Sequence, residues 1–465
     1  MALGGASLIG GPAFAQTVEA MPALAPALAQ VAALMERARV PGAGVAVVHQ
    51  GRIAATLGLG MASLPFRVAA SEDTLFHLGS VSKQITAALV LELVEAGAIG
   101  LDDPVGRHAR GLPAAFADIP VRHLLSHTSG APDYEGLEGF APDRPIAREV
   151  FLSRVAALPA QFAPGAAWAY SNTGYVLLGY LLADVTGRSY RELATERLFG
   201  RIGLPSARID DAGAVVPGRA EPYSLEDGQV RHAVGMDGDY SGWPDGGVLM
   251  SARDAARWEQ ALQTGAAPSA ATAAGLISPA LMASGRSAAY GAGWFTDQVA
   301  GADVQYHSGS VPGFLTYAWR APATGTAVTV MANLESAAAG GFVREAALNL
   351  SEAVAPGSTP LSLDPIRDDA PEITAEALSL FARGDTPLRA DRFTSEIAAL
   401  VGTRAQGALP PNLGADAAGL GWTLTGTHAE PGGQVRRYRM TRGEVRRHIA
   451  VAYAPDGRIY RVRVL

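Results

Sequence analysis

The sequence predicts a mixed α/β (α+β) protein: an antiparallel sheet flanked by helices, an all-helical subdomain, and a small α+β domain at the C-terminal end. Two runs of β-branched and small residues, near residue 50 and between residues 304 and 333, indicate strands. The middle of the chain, from about 100 to 290, follows helical patterns broken by Gly and Pro. Strands at both ends of this region, with helices between them, predict one sheet built from both ends and an inserted helical subdomain.

Local patterns place the individual elements. An amphipathic helix is predicted over residues 22–39, ending before Pro41, and a long, nearly uncharged helix from Ser80 to about Ala98 should be buried on all sides. The signal Ser251-Ala252-Arg253-Asp254 marks the start of a further helix. The remaining predicted elements are a hairpin of 42–49 with 53–60, strands at 304–307, 315–320 and 326–333, and a helix at 341–354.

Composition divides the chain into four parts. Residues 1–20 are small and apolar and end near Ala13-Phe14-Ala15, which is typical of a secretory signal with its cleavage site. A periplasmic or secreted protein is therefore expected, or a cytoplasmic one if this segment is not a signal. Residues 22–356 form the predicted main domain, 357–370 a Pro- and Ser-containing linker, and 371–465 the small α+β domain. No apolar run is long enough to span a bilayer.

The last predicted strand alternates in a way that indicates one buried and one solvated face. Tyr460, Val462 and Val464 alternate with Arg461 and Arg463. Nine arginines lie between residues 436 and 465, against two acidic residues. The solvated face is the favoured interpretation; the alternative is electrostatic docking of this basic domain onto the acidic remainder of the chain or onto an anionic polymer.

Charge and residue usage exclude several classes of function. The net charge of −7 does not favour nucleic-acid binding. The chain has no cysteine, which excludes disulfides, thiolate catalysis and Cys-based zinc sites. The nine histidines are not closely paired. We therefore expect no metal and no cofactor.

A single lysine stands out as a candidate catalytic base. Among 37 basic residues only Lys83 is a lysine, and it follows Ser80 by three positions. A lysine amine loses its proton readily when it is desolvated, whereas a guanidinium stays charged. Residues three apart lie on one face of a helix, so the amine of Lys83 can reach the hydroxyl of Ser80. A neutral amine beside a hydroxyl is a base beside a nucleophile.

Other segments carry residues that could complete such a site. One is Trp168 to Tyr175, which contains Tyr170 and Asn172; another is Leu124 to Gly130, in which His127 is interpreted as part of a helix-ending turn. His77 and His123 are interpreted as structural. A third segment lies on a predicted strand and contains His307, Ser308, Gly309 and Ser310.

These motifs resemble those of the serine β-lactamase and penicillin-binding protein superfamily, within it the class C β-lactamase, DD-peptidase and family VIII esterase branch. That superfamily is marked by S-x-x-K, then Y-x-N or S-D-N, then K-T-G or a variant. The resemblance covers about residues 25–355 and implies a β-lactamase/transpeptidase-like fold. The matching residues are Ser80 with Lys83, Tyr170 with Asn172, and His307-Ser308-Gly309, together with Leu125 to Gly130, Pro164-Gly165, Gly246-Gly247 and Tyr290 to Trp294.

The resemblance also implies roles. Ser80 would attack an acyl carbonyl, Lys83 with Tyr170 would take its proton, and Tyr170 would pass a proton to the leaving group. Asn172 would position Lys83 and the substrate. The backbone N–H groups of Ser80 and Ser310 would form the oxyanion hole. For Tyr170 to act near neutral pH its pKa must fall from about 10, and the Lys83 ammonium is the expected cause.

The third motif bears on the substrate. Class C β-lactamases carry a lysine where this chain has His307, which is largely neutral at pH 7. The sequence therefore favours cleavage of a carboxylic ester or a D-amino-acid peptide or amide. Two alternatives stay open: a β-lactam-hydrolysing enzyme, and a penicillin- or peptidoglycan-binding module with little turnover. In the latter the C-terminal domain would do the recognition, and its deletion would leave small-ester turnover unchanged.

Overall fold

A computed structural model describes residues 24–139, 146–233, 242–384, 386–403, 407–409, 421–442 and 445–465. The predicted signal segment, 1–20, lies outside the described residues. Within those ranges no helix is both long and apolar enough to cross a membrane.

The helices and strands alternate irregularly along the chain. The helices are α1 (Leu24–Arg37), α2 (Lys83–Glu95), α3 (Ala114–Ala117), α4 (Val121–Leu125), α5 (Arg148–Ala156), α6 (Asn172–Thr186), α7 (Tyr190–Leu193), α8 (Gly200–Ile202), α9 (Ala252–Thr264), α10 (Ala270–Ile277), α11 (Ala337–Val354), α12 (Pro371–Phe381) and α13 (Ser395–Ala398). The strands are β1 (Gly42–His49), β2 (Arg52–Ser63), β3 (Val68–Ala69), β4 (Leu75–His77), β5 (Arg208–Ile209), β6 (Tyr223–Glu226), β7 (Gln229–His232), β8 (Val248–Ser251), β9 (Phe295–Val299), β10 (Ala302–Val311), β11 (Phe314–Ala321), β12 (Thr326–Ala332), β13 (Gly421–Glu430), β14 (Gly433–Arg442), β15 (Val445–Tyr453) and β16 (Ile459–Val464).

The main sheet is antiparallel and is assembled from both ends of its domain, as predicted. Its strand order is β3-β2-β1-β12-β11-β10-β9. The join between the two halves is the β1–β12 pair, in which Val45 lies opposite Val330. The inner strands are buried on both faces and therefore read as continuous Val- and Ala-rich runs.

Helices cover both faces of this sheet. On one face α1 and α11 enclose a core that includes Val31, Phe342 and Val330. On the other face α2 and α9 pack against the sheet, and their core, which includes Ile85 and Trp258, continues into the helical region. The capping signal at Ser251 is confirmed, since its side chain accepts a hydrogen bond from the backbone N–H of Asp254 at the start of α9.

The predicted helix starting at Ser80 begins three residues later. Gly79–Ser82 form a 3₁₀ turn, and α2 starts at Lys83. Gly79 adopts a φ of +52°, which favours glycine and allows the turn to lie against the end of β10. The helix itself is buried along nearly its whole length, as its apolar sequence predicts.

The C-terminal region consists of α12, α13 and a four-stranded antiparallel sheet ordered β13-β14-β15-β16. Its core includes Phe381, Tyr438 and Ile449, together with Ala167 and Ala169 of the preceding region.

The prediction of a solvated arginine face on β16 is wrong. Arg461 and Arg463 are each only 8% exposed. They lie against the segment that precedes β9, where Arg461 donates to the carbonyl of Ser287 at 2.9 Å. On β14, Arg437 pairs with Asp297 of β9 at 2.5 Å. The arginines can be buried here because carboxylate and carbonyl oxygens of the preceding part of the chain accept their hydrogen bonds. The alternative that this basic face docks onto the rest of the chain therefore describes it better than a solvated face does.

Candidate active site

Two glycines bring the Ser80 turn and the end of β10 together. A Cβ atom on Gly79 would lie 2.6 Å from the backbone nitrogen of Ser310, and one on Gly309 would lie 1.9 Å from the carbonyl oxygen of Leu78. The Cβ of Gly309 would also stand 3.2 Å from the nitrogen of Ser80. Only glycine fits at either position. The nitrogens of Ser80 and Ser310, predicted as the oxyanion hole, therefore belong to the same close contact.

The amine of Lys83 is completely buried and has three oxygen acceptors. It donates to Ser80 Oγ at 3.1 Å, to Asn172 Oδ1 at 2.7 Å and to the backbone carbonyl of Asp245 at 2.8 Å. The structure thus brings together the predicted nucleophile, base and positioning amide.

Burial governs the protonation of this amine. It lowers the pKa of Lys83 from 10.5 to about 8, although the carboxylates of Asp245, Asp133 and Glu135 oppose the change. A substantial fraction of the amine is therefore neutral in mildly alkaline solution. Only the neutral form can accept the proton of Ser80.

Tyr170 lies beside this pair, but the expectation that its pKa falls below 10 is wrong. The Lys83 amine stands 4.9 Å from the centre of the Tyr170 ring. Burial raises the pKa of Tyr170 well above 10, and the nearby Ser80 side chain opposes this only in part. The desolvation of a phenolate outweighs any attraction to the ammonium. Tyr170 is consequently a protonated hydroxyl that lies next to the Ser80 side chain.

Asn172 is fixed from three sides at the start of α6. Its Oδ1 accepts from Lys83, its Nδ2 donates to Glu135 Oε1 at 3.2 Å, and its backbone N–H donates to Asp133 Oδ2 at 2.6 Å. Ser171 caps the helix by accepting from the N–H of Gly174. The amide oxygen therefore points at Lys83, as its predicted role requires.

His307 is neutral in this structure. Its Nδ1 lies 2.6 Å from the carbonyl oxygen of Ser308 and so carries the proton, which leaves Nε2 to accept from the Tyr290 hydroxyl at 3.0 Å. Burial and the Lys83 charge lower the pKa of His307 to about 3. The third motif thus provides no fixed cation. Next to His307 the side chains of Ser308 and Ser310 are exposed.

Three carboxylates around Lys83 were missed by the sequence analysis: those of Asp133, Glu135 and Asp245. Asp133 accepts from the backbone N–H groups of Asn172 and Glu135, and burial raises its pKa to about 6. Burial also raises the pKa of Asp245, whose Oδ2 accepts from the Tyr134 hydroxyl at 2.7 Å. The sequence signals were weak: Asp133 lies just past the Leu125 to Gly130 motif, and Asp245 just before Gly246-Gly247.

His127 does form the predicted turn after α4, with a φ of +58°, but it also supports the site. Its ring packs 4.1 Å from that of Tyr170, and its Nδ1 accepts from the N–H of Ser171 at 3.1 Å. His77 and His123 bond elsewhere, to Asp210 and Thr128. In the described part of the chain, no group of three His, Asp or Glu residues is placed to hold a metal ion.

A comparison with known protein families places this chain in a family that fits the order and geometry of these motifs. The sequence profile of the Beta-lactamase family matches residues 28–353, well over half of the chain. The chain belongs to the Beta-lactamase family. The resemblance drawn from the sequence motifs is thereby confirmed.

Relatives of this Beta-lactamase-family chain include a penicillin-binding protein and a D-aminopeptidase. It is 31% identical over 266 residues to Penicillin-binding protein 4* of Bacillus subtilis (strain 168), a match covering 52% of this chain and 57% of the relative. It is 29% identical over 330 residues to a D-aminopeptidase of Gluconobacter oxydans (strain 621H), covering 67% and 59%. The chain therefore spans less than two thirds of either relative.

A solved structure supports the fold. The penicillin binding protein from Bacillus halodurans is 27% identical, with a TM-score of 0.59, and the match covers 68% of this chain and 97% of that protein. The predicted β-lactamase/transpeptidase-like fold is thereby confirmed.

Proposed function

We propose that this Beta-lactamase-family protein is a serine hydrolase that forms an acyl-enzyme on Ser80 and cleaves amides of D-amino acids that bear a free amino group. The observation that carries the hydrolase is the 3.1 Å contact between Ser80 Oγ and the buried Lys83 amine, whose pKa is about 8. The match to a D-aminopeptidase supports the substrate class.

The first half of the reaction forms the acyl-enzyme. Ser80 Oγ bonds to the carbonyl carbon while its proton passes to the neutral Nζ of Lys83. The carbonyl oxygen takes up negative charge beside the N–H groups of Ser80 and Ser310, and each such donor contributes about 3 kcal/mol in related sites. The C–N bond then breaks, and the leaving nitrogen keeps the electron pair. The proton on Lys83 reaches that nitrogen through the hydroxyl of Tyr170, which relays it without becoming a phenolate.

The second half reverses the roles, with water as the nucleophile. Water adds to the acyl carbon and gives a proton to the neutral Lys83. The Ser80 oxygen then leaves as the C–O bond breaks and regains the proton from Lys83. The product acid departs with the hydroxyl group of the water. One base thus serves both steps, and no additional carboxylate is needed.

The charges around the site favour a cationic substrate. A substrate carboxylate meets a neutral histidine at His307. A substrate ammonium meets the carboxylate of Glu135, which is exposed and touches the amide of Asn172. The carboxylate of Glu135 attracts a substrate ammonium, whereas the neutral ring of His307 does not attract a substrate carboxylate. Benzylpenicillin and peptides read by their terminal carboxylate should therefore be poor substrates.

The test compares D-alanine p-nitroanilide with its N-acetyl derivative and its L-enantiomer. We expect the free amine to have a kcat/KM higher by about fivefold, since an exposed charge contact contributes up to about 1 kcal/mol. Glu135→Gln should remove most of this preference by raising KM. Glu138→Gln is the matched control, because Glu138 is also exposed and lies three residues away.

The outcomes separate the candidate functions. Faster cleavage of the N-acetyl derivative would contradict the free-amine proposal. A neutral His307 equally suits uncharged acyl groups, so turnover of p-nitrophenyl butyrate with no cleavage of any D-amide would favour the esterase. A lasting penicillin adduct without turnover of either substrate would favour a penicillin-binding module.

A further inference from the structure

The segment that carries Tyr170 is packed against the C-terminal region. Ala167 and Ala169 are buried in the core of that region. Between them, Trp168 turns to the other side, where its ring centre lies 6.1 Å from that of His127 and 6.5 Å from that of Tyr170. The backbone leading into the active-site tyrosine is therefore held from both sides.

Arg463 of β16 covers Trp168. Its guanidinium carbon lies 3.9 Å from the centre of the Trp168 ring and 5.3 Å from that of Phe295. Phe295 packs on His307, with ring centres 5.1 Å apart. The arginine thus contacts one ring beside Tyr170 and another beside His307.

The same guanidinium also holds a second segment of the active site. It donates to the carbonyl of Ala288 at 3.4 Å, two residues before Tyr290, and to the carbonyls of Gly407 and Val462. Tyr290 in turn bonds His307. Burial and the neighbouring Arg461 lower the pKa of Arg463 to about 9, so the group stays charged at neutral pH.

We propose that Arg463 is a positioning residue of the active site, which fixes the segments carrying Tyr170 and Tyr290 from the C-terminal region. Its effect on turnover rests on the proposed function; its effect on the order of the two segments does not. On this proposal the C-terminal region supports the active site, and its deletion should lower small-ester turnover, in contrast to the unchanged turnover that the binding-module alternative predicts.

Arg461 provides a matched control for the experiment. It lies on the same strand, is equally buried, and donates to the carbonyl of Ser287. It pairs with Glu430, and the ring beneath it is that of Tyr460. Arg463→Met and Arg461→Met each remove one buried cation from this interface, while Arg463→Met alone uncovers Trp168. Arg463→Lys retains a charge in the same place.

Two readouts are measured on the full chain. Hydrogen exchange followed by mass spectrometry reports the order of residues 166–172 and 287–290, and the hydrolysis of D-alanine p-nitroanilide reports kcat and KM. We expect Arg463→Met to speed exchange in both segments and to lower kcat by on the order of 10- to 100-fold with little change in KM, because small misplacements of reacting groups cost this much. Arg463→Lys should recover part of kcat.

Two results would overturn the proposal. One is that Arg463→Met and Arg461→Met speed hydrogen exchange in residues 166–172 equally. The other is that their kcat values differ by no more than about twofold, which is less than the expected cost of misplacing the reacting groups. A wild-type protein without turnover would contradict the proposed function alone, and the exchange data would still decide the role of Arg463.

Discussion

Acylation of Ser80 should depend on pH through the amine of Lys83. Burial lowers the pKa of this amine from 10.5 to about 8. About one tenth of the molecules therefore carry the neutral base at pH 7, and about one hundredth at pH 6. The rate constant should rise about tenfold per pH unit below pH 8 and become constant above it.

The same pKa predicts a stability effect that is independent of catalysis. The difference between 10.5 and about 8 corresponds to about 3 kcal/mol. Between these pH values the unfolded chain binds a proton at Lys83 and the folded chain does not. The free energy of unfolding should therefore rise with pH across this window, by about 3 kcal/mol at most. Lys83→Met, which has no amine, should lack this contribution.

The assay needs a substrate without a titrating group, because the amine of an amino-acid amide ionises in the same range. We suggest kcat/KM for p-nitrophenyl acetate from pH 6 to 9.5 at constant ionic strength, corrected with Ser80→Ala. An apparent pKa near 8 is expected. A profile that is flat between pH 6 and 8, or that still rises steeply between pH 9 and 9.5, would refute Lys83 as the base.

Three further variants test other parts of the site and its support. Lys83→Arg keeps the charge but has no accessible neutral form, so kcat/KM for p-nitrophenyl acetate should fall by on the order of 10³-fold; retention of a tenth of the activity would exclude the proposed base. Gly309→Ala places a methyl group against the carbonyl of Leu78 and should separate the Ser80 and Ser310 nitrogens, which lowers the acylation rate by on the order of 10²-fold; a normal rate would remove these donors from the account. Asp297→Asn leaves Arg437 buried without its carboxylate and should lower the free energy of unfolding by about 3 kcal/mol in urea titrations; a change below about 1 kcal/mol would show that the pair does not secure the C-terminal region.

Elements with a clear local period could be predicted from the sequence. The hairpin of β1 and β2 and the strands β10 to β12 lie where alternation and β-branched residues place them. The contact between Ser80 and Lys83 also follows from their spacing, even though α2 begins only at Lys83. In both cases the decisive interactions are close in sequence.

Interactions between distant segments could not be predicted in the same way. Asp245 receives the Lys83 amine on its backbone carbonyl, a group that residue type does not reveal. The alternation of β16 predicts that Arg463 is solvated, but the ring of Trp168 and the carbonyl of Ala288, both distant in sequence, lie against it and bury it. The pKa of Tyr170 was predicted in the wrong direction because the sequence shows a neighbouring charge but not the depth of burial.

The most direct test of the central claim is the intact mass of the protein after reaction with a fluorophosphonate, followed by peptide mapping. This neutral reagent attaches to an activated serine and needs no charged clamp. We predict one adduct, located on Ser80, which forms at a rate that increases up to about pH 8 and is lost in both Ser80→Ala and Lys83→Arg. No adduct at any pH, or an adduct that persists in Ser80→Ala, would contradict it.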